Sequence, residues 1–472
     1  MDTLPEVTSG QATATAALDH PSVRATDGVR RNRIADAILY LTAFGGGLAW
    51  TSYLLARSPG TPSQDEIAHV LISKQAWHDP QVILDAWGRP INTLLYVIPS
   101  RWGLTGARIG AVIFAAITVI VATLIARSFG VRRLYLVPLL LWFQPWFHDF
   151  GYIALTEVPF SMMLAVSIYA WLRERRAWAV LAFGLLPLIR WEALGLIPLG
   201  ALIIILSRRW RLLPLLGAPL LIFLTLSAAF GGDNITMREY LRMTPGAYGY
   251  GTWGHFFGTS APLIGLPVLI AAIFGIPRAI RDRRFLGAIA VWAAYFGLQV
   301  VSWKLGKGAG YVEFALPVAA GVAIVAATGT EWVASAFRKL SNAFAVRIAT
   351  GLLISVLAAS VLLVGSRSEP RPLDVEAKAM KEAAAWLRER NLDPPRLLST
   401  HAWFQYFYDL PFPRRHPGLV DGGRGLPAGT IMVWDRHYSN RWGYHIDELV
   451  DPANGWKRLE AFRNRAAIFV KL

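Results

Sequence analysis

IADAILYLTAFGGGLAWTSYLLA, residues 34–56, decides the fold class. A run of about 20 predominantly apolar residues crosses a bilayer's hydrocarbon core, and this one is long enough. Ten further runs read the same way, several of them short. They fall at roughly 107–126, 134–147, 155–172, 177–189, 193–207, 212–231, 258–277, 286–303, 314–337 and 348–365. The whole chain agrees: 54% of its 472 residues are hydrophobic, only 17% are charged, and the mean hydropathy is +0.40. Soluble domains carry about 25% charged residues. The absence of cysteine excludes disulfides, zinc–thiolate sites, iron–sulfur clusters and thiol nucleophiles.

A net charge of +16 raises the question of nucleic acid, and the distribution of charge answers it. Before the C-terminal part, most basic residues sit in short clusters between apolar runs, as cytoplasmic loops do. With the N-terminus inside, the inner segments hold 20 Lys and Arg and the outer loops before residue 366 hold nine. The expected organisation is a polar, disordered cytoplasmic tail (1–33), an all-α polytopic membrane domain (34–365) and a small extracytoplasmic α/β domain (366–472). In that last part the pattern predicts a helix over 374–390 and strands over 396–400, 430–434 and 466–470. It also predicts a helical piece near 456–463.

The first outer loop, Arg57 to Gly106, is far longer than an ordinary connection. It contains SPGTPSQDEIAHVLISKQAWHDPQVILDAWGRPINTLLYVIPSRWG, residues 58–103. Ser63 or Gln64 stands at an N-cap position, Asp65-Glu66 opens a helix, and an amphipathic pattern runs to Trp77. Trp77, Trp87 and Trp102 suit a helix lying among lipid headgroups. Acidic residues in a first helical turn also simply complement the helix dipole. The second outer loop, FHDFGYIALTEVPF (147–160), supplies His148, Asp149 and Glu157. A carboxylate at the mouth of a span is costly unless it faces water or a partner. Glu157 and Asp149 therefore line a cavity with Asp65, or His148 and Asp149 are simply solvated loop residues. Arg190-Trp191-Glu192 forms a local ion pair or meets a bound anion. The segment WKLGKGAGYVEF (303–314) brings Lys304, Lys307, Tyr311 and Glu313 to the outer mouth. Its glycines do not match a phosphate loop, because no Gly-Lys-Ser/Thr follows a strand. The loop at 233–257, with Arg238 and Arg242, either covers a site or moves freely.

In this order the features resemble the polytopic GT-C glycosyltransferases that use polyprenyl- or dolichyl-phosphate sugars. Protein O-mannosyltransferases and the aminoarabinose transferases of lipid A are among them. The resemblance rests on Asp65-Glu66 after the first span and on Leu155-Thr-Glu-Val-Pro-Phe160 at the start of another. Arg190-Trp-Glu-Ala-Leu194 and Tyr311-Val-Glu-Phe-Ala-Leu-Pro317 follow, the last without the Arg-Tyr of many relatives. It covers residues 34–365. It implies an inverting transfer on the outer face with Asp65 as general base and Glu66 beside it. Arg190, Lys304, Lys307 and Tyr311 are implied at the donor phosphate, with His148, Asp149, Glu157 and Glu192 in the same cavity.

The chemistry asks for such groups. A lipid phosphate is already a good leaving group, so one carboxylate must take the acceptor's proton and cations must hold the phosphate. Adjacent residues on a helix point about 100° apart, which does not suit the opposed carboxyl pair of a glycosidase. A nucleotide-sugar donor would call for a metal-binding Asp-x-Asp, which the chain lacks. The sequence fixes no cofactor and leaves a divalent cation open. The expected partners are a polyprenyl-phosphate sugar, a lipid, glycan or protein acceptor, and membrane lipids, without nucleic acid. A multi-pass transporter, a surface-polysaccharide ligase or polymerase, and an inactive scaffold are the other readings.

Overall fold

The computed structural model describes residues 22–230, 246, 249–337, 343–365, 367–392, 394–411 and 419–472, with side chains from Ile34 onward. Among them, six helices are long and apolar enough to cross a membrane. These are Ile34–Arg57, Pro99–Ser128, Trp210–Ala229, Arg283–Lys304, Val312–Phe337 and Phe344–Gly365. We label the helices in chain order, with α1 at Ser22–Arg57, α2 at Asp65–Ala76, α3 at Pro90–Tyr96 and α4 at Gly103–Ser128. The polar stretch 1–33 lies outside the described residues up to residue 21, and beyond it the chain is already helical.

Several expected spans take another form. The run at 134–147 is two short helices, α5 (Leu136–Trp142) and α6 (Pro145–Phe150), because Gln144 is extended ahead of a proline. Seven residues rise only about 10 Å, too little to cross. Three runs form the shorter apolar helices α7 (Glu157–Leu172), α8 (Arg176–Leu185) and α9 (Ile197–Leu206). After α10 (Leu213–Ala229), the run at 258–277 breaks into α11 (His255–Ile264) and α12 (Leu266–Arg281). These two meet at 110° around Gly265, whose φ of 93° only glycine adopts readily. Helices α13 (Arg283–Lys304), α14 (Ala319–Phe337) and α15 (Ala343–Gly365) complete the bundle. Helices α12 and α14 cross backbone to backbone. A Cβ at Gly275 would collide with the Val325 carbonyl, and one at Gly329 with that of Ala271. Small residues of this kind let apolar helices approach without a hydrophobic driving force.

The C-terminal domain is a four-stranded sheet in the order β1-β2-β4-β3. Strand β1 (Leu397–Ser399) runs parallel to β2 (Ile431–Asp435), while β4 (Ala466–Lys471) lies antiparallel to β2 and to β3 (Trp456–Phe462). Helices α16 (Val375–Glu389) and α17 (Ala402–Tyr408) pack against it, and α18 (Ile446–Val450) lies beside β3. The helix expected near 456–463 is therefore a strand. It is an edge strand with mostly exposed side chains, closed by a turn whose residues Arg463 and Asn464 both have φ near 50°.

This domain does not hang free. Ile67 and Leu71 of α2, Ala107 of α4, and Met380 and Trp403 of the domain share one apolar core. Gly60 N donates to Arg371 O at 2.8 Å, and Lys74 pairs with Asp409 at 2.8 Å. The first long loop and the C-terminal domain thus occupy the same end of the bundle. Helix α2 is consequently buried along most of its length rather than lying among headgroups. Trp77 and Trp102 are exposed, whereas Trp87 is turned inward and stacks on His69 at 4.9 Å.

Candidate active site

Helix α2 separates its first two residues. Thr61 and Ser63 order its entry: Ser63 N donates to Thr61 Oγ1 at 3.2 Å, and Asp65 N donates to Ser63 Oγ at 3.3 Å. Glu66 points inward and is fully buried. Arg108 of α4 grips it with Nε on Oε1 at 2.8 Å and Nη2 on Oε2 at 2.7 Å, and Ala154 N donates to Oε1 at 2.9 Å. Arg108 also donates to the Ser58 and Gly60 carbonyls, which ties the loop to the bundle. Glu66 is thereby an anchor with both oxygens occupied, and it is not placed to act as a base.

Asp65 faces the other way. Solvent reaches its carboxylate, yet protein surrounds it closely enough to raise its pKa above the ordinary 3.8. Burial is the main cause and the Glu157 carboxylate the next, opposed by Arg89 and Arg441. Protein packed around a carboxylate disfavours its charged form even where the residue is reached by solvent.

The groups around Asp65 come from distant parts of the chain. Glu157 opens α7, and Arg190 bonds its carboxylate while donating to Thr156 Oγ1 at 3.0 Å and to Glu192 at 3.3 Å. The Arg190 guanidinium lies 4.2 Å over the Phe314 ring, against which Tyr311 packs edge-on at 5.6 Å. Glu313 lies in the electrostatic reach of Glu157, Arg190 and Asp65. Asp65, Glu157, Arg190, Glu192 and the Tyr311 segment are therefore brought together. Arg190, however, is enclosed by two carboxylates and is 3% exposed, so it is an internal counter-ion more than an open phosphate ligand.

His148 and Asp149 lie elsewhere. His148 is fully buried between Trp50 and Phe143, with Nδ1 3.2 Å from the Trp142 carbonyl. Asp149 sits 3.8 Å from Arg371 in the linker to the C-terminal domain. Lys304 ends α13 and Lys307 lies in the turn after it, where Gly306 O accepts from Gly246 N. Arg238 and Arg242 lie outside the described residues.

Two contributors were missed. Arg89 stands at a φ of 63°, a left-handed conformation few residues other than glycine adopt. Asp85 builds the turn before it, with Oδ1 accepting from Trp87 N at 2.7 Å and Gly88 N at 2.9 Å. Strained backbone of this kind clusters at functional sites. The signal in the sequence is the Gly88-Arg89-Pro90 turn. The second contributor is the loop after β2. Asp435 accepts from Thr400 Oγ1 at 2.8 Å, Ser439 Oγ at 2.9 Å and His437 N at 3.0 Å, which makes the loop rigid. His437 Nδ1 and Gln64 Nε2 meet on Glu376 Oε2 at 3.2 and 3.1 Å, so the loop stands beside the start of α2. Tyr438 and Arg441 of this loop both interact electrostatically with Asp65. The Tyr438 hydroxyl is pushed above its usual range, first by burial and then by Asp65, Asp435 and Glu376. No local signal in the sequence marks these residues.

Among the described residues, no cluster of three or more His, Asp or Glu side chains could hold a metal ion. No protein-family model and no curated protein matches the chain. Solved structures do. Crystal structures of ArnT from Cupriavidus metallidurans, one bound to undecaprenyl phosphate and one in the apo state, each superpose with a TM-score of 0.60. They cover 95% of this chain and 98% of their own, at 15% and 13% identity. At that identity the likeness is one of architecture, and it extends over nearly the whole chain: the protein has an ArnT-like fold.

Proposed function

We propose that the protein is a membrane glycosyltransferase that moves a sugar from a polyprenyl-phosphate donor to a hydroxyl of a glycan, lipid or protein. The reaction takes place on the extracytoplasmic face of the plasma membrane, where the first loop and the C-terminal domain meet. The observation that carries this reading is Asp65, a solvent-reached carboxylate of raised pKa among Glu157, Arg89 and Arg441. The ArnT-like fold supports the donor class, because one ArnT structure is bound to undecaprenyl phosphate. In the proposed step Asp65 takes the proton of the acceptor hydroxyl and the oxygen attacks the anomeric carbon. The bond from that carbon to the phosphate oxygen breaks with inversion, and polyprenyl phosphate leaves with the electron pair. Arg89 and Arg441 counter the phosphate charge, with Lys304, Lys307 and Tyr311 at the adjoining mouth. Arg190 holds Glu157 and Glu192 in place. The excess of basic residues in the opposite loops supports this orientation.

The two arginine roles are separable. Purified protein is incubated with a panel of undecaprenyl-phosphate monosaccharides and a glycolipid extract, and release of undecaprenyl phosphate is followed. Arg441→Ala should keep the melting temperature and raise the apparent KM for the donor about tenfold to a hundredfold, the worth of one charge-assisted hydrogen bond. Arg190→Ala should instead lower the melting temperature, because two buried carboxylates lose their counter-ion. Unchanged donor kinetics in Arg441→Ala would remove that residue from the site. Failure of the wild-type protein to release undecaprenyl phosphate from any donor would argue against the donor class.

A further inference from the structure

A second cavity lies at the other end of the bundle. Glu157 begins α7 beside Asp65, and this cavity opens at the far end of the same helix, about 24 Å away by helical rise. It encloses about 370 Å³ between α7, α8, α9, α10 and α13, within the range of small-molecule sites. Its walls are apolar: Ile168, Val180, Phe183, Ile204, Leu216 and Val291. The Ser167 hydroxyl on the wall is already spent on the Ala179 carbonyl at 2.8 Å. The other polar side chains of the lining are the exposed Ser207, Trp171 and the charged rim, so the buried part of any occupant is a hydrocarbon chain.

The rim is different. Arg283 and Arg284 stand at one lip, both exposed. Arg176, also in the lining, pairs with Glu174 at 2.6 Å and lies 4.2 Å over the Trp171 ring, so that pair is neutral overall. Arg208, Arg209 and Arg211 line an adjoining hollow that shares Glu174 and Arg176 with the cavity. The rim therefore carries a surplus of guanidinium groups over a hydrocarbon slot. From Arg284 to Val291 the slot is about 10 Å deep. These arginines also belong to the loops counted as cytoplasmic, where the leaflet is rich in anionic lipid.

We propose that this cavity binds an anionic glycerophospholipid, one acyl chain in the slot and the phosphate on Arg283 and Arg284. Such a site would couple the cytoplasmic leaflet to the helix, α7, that carries Glu157 at its other end.

Gly287 offers a clean test. It lines the cavity, and a Cβ built there meets nothing within 4 Å, so Gly287→Leu has room to start its side chain into the slot and favours the helix. Full-length protein in neutral detergent is titrated with phosphatidylglycerol and with phosphatidylcholine of identical chains. Bound lipid is counted by native mass spectrometry, and folding of each variant is checked by melting. The wild type should retain phosphatidylglycerol about tenfold better, as expected for one charge-assisted contact. Arg283→Ala with Arg284→Ala should abolish that preference, and Gly287→Leu should lower retention of both lipids. Equal retention of the two lipids by the wild type would overturn the proposal, as would undiminished phosphatidylglycerol binding by folded Gly287→Leu. Displacement of phosphatidylglycerol by equimolar undecaprenyl phosphate would assign the slot to a polyprenyl chain instead.

Discussion

Asp65→Asn is expected to abolish nearly all turnover while leaving the protein folded. The amide keeps the shape and loses the basic oxygen, and removal of a general base costs about 10²–10⁴ in rate. The same substitution has an opposite effect on stability. Folding raises the pKa of Asp65 above its ordinary 3.8, so the charged form is the one the fold disfavours. Below pH 3.8 the group is neutral folded and unfolded, and it contributes nothing. As pH rises through the interval up to the raised value, the wild type loses stability relative to the asparagine variant. Asp65→Asn should therefore melt at or above the wild-type temperature at neutral pH, with the gap closing on acidification. The acid limb of wild-type kcat/KM should likewise fall above pH 3.8. A folded variant with near-normal turnover would remove Asp65 from the chemistry.

Glu66→Ala should do the reverse, striking the fold first. It leaves the Arg108 guanidinium buried at 2% exposure with no counter-charge, a loss of about 3–5 kcal/mol. Loop and bundle are joined through this pair, so activity falls with the loss of folded protein. Replacing both partners, as Glu66→Gln with Arg108→Met, should recover part of the stability because no charge is stranded. Wild-type melting of Glu66→Ala would show that the pair is not an anchor. The adjacent carboxylates thus separate by phenotype, one through rate and the other through melting.

The division between Asp65 and Glu66 was half legible in the sequence. Neighbours on a helix point about 100° apart, so the two were bound to face different surroundings. Which one faces in depends on Arg108, 42 residues away on α4, and no local pattern marks that pairing. Hydrophobic runs located the apolar helices well, since burial in lipid or protein needs the same side chains. They could not tell a crossing helix from a broken one. The breaks lie at Gln144-Pro145 and at Gly265, single residues inside otherwise apolar text. Strand β3 was misread because its apolar residues Trp456, Leu459 and Phe462 recur at a helical interval, while an edge strand needs little alternation. Arg441 was out of reach for another reason. It joins Asp65 only through the docking of the C-terminal domain on α2, a tertiary event without a local signal.

The central claim, a sugar transfer from a lipid-phosphate donor that depends on Asp65, is tested most directly by mass analysis of lipid-linked sugars and surface glycans. A strain lacking the gene would be compared with strains carrying the wild-type gene or the Asp65→Asn variant. One polyprenyl-phosphate sugar should accumulate in the deletion strain while one sugar disappears from a surface glycan, lipid or protein. The wild-type gene should reverse both changes, and Asp65→Asn should reverse neither. Lipid-linked sugars and surface glycans identical in all strains would contradict the account.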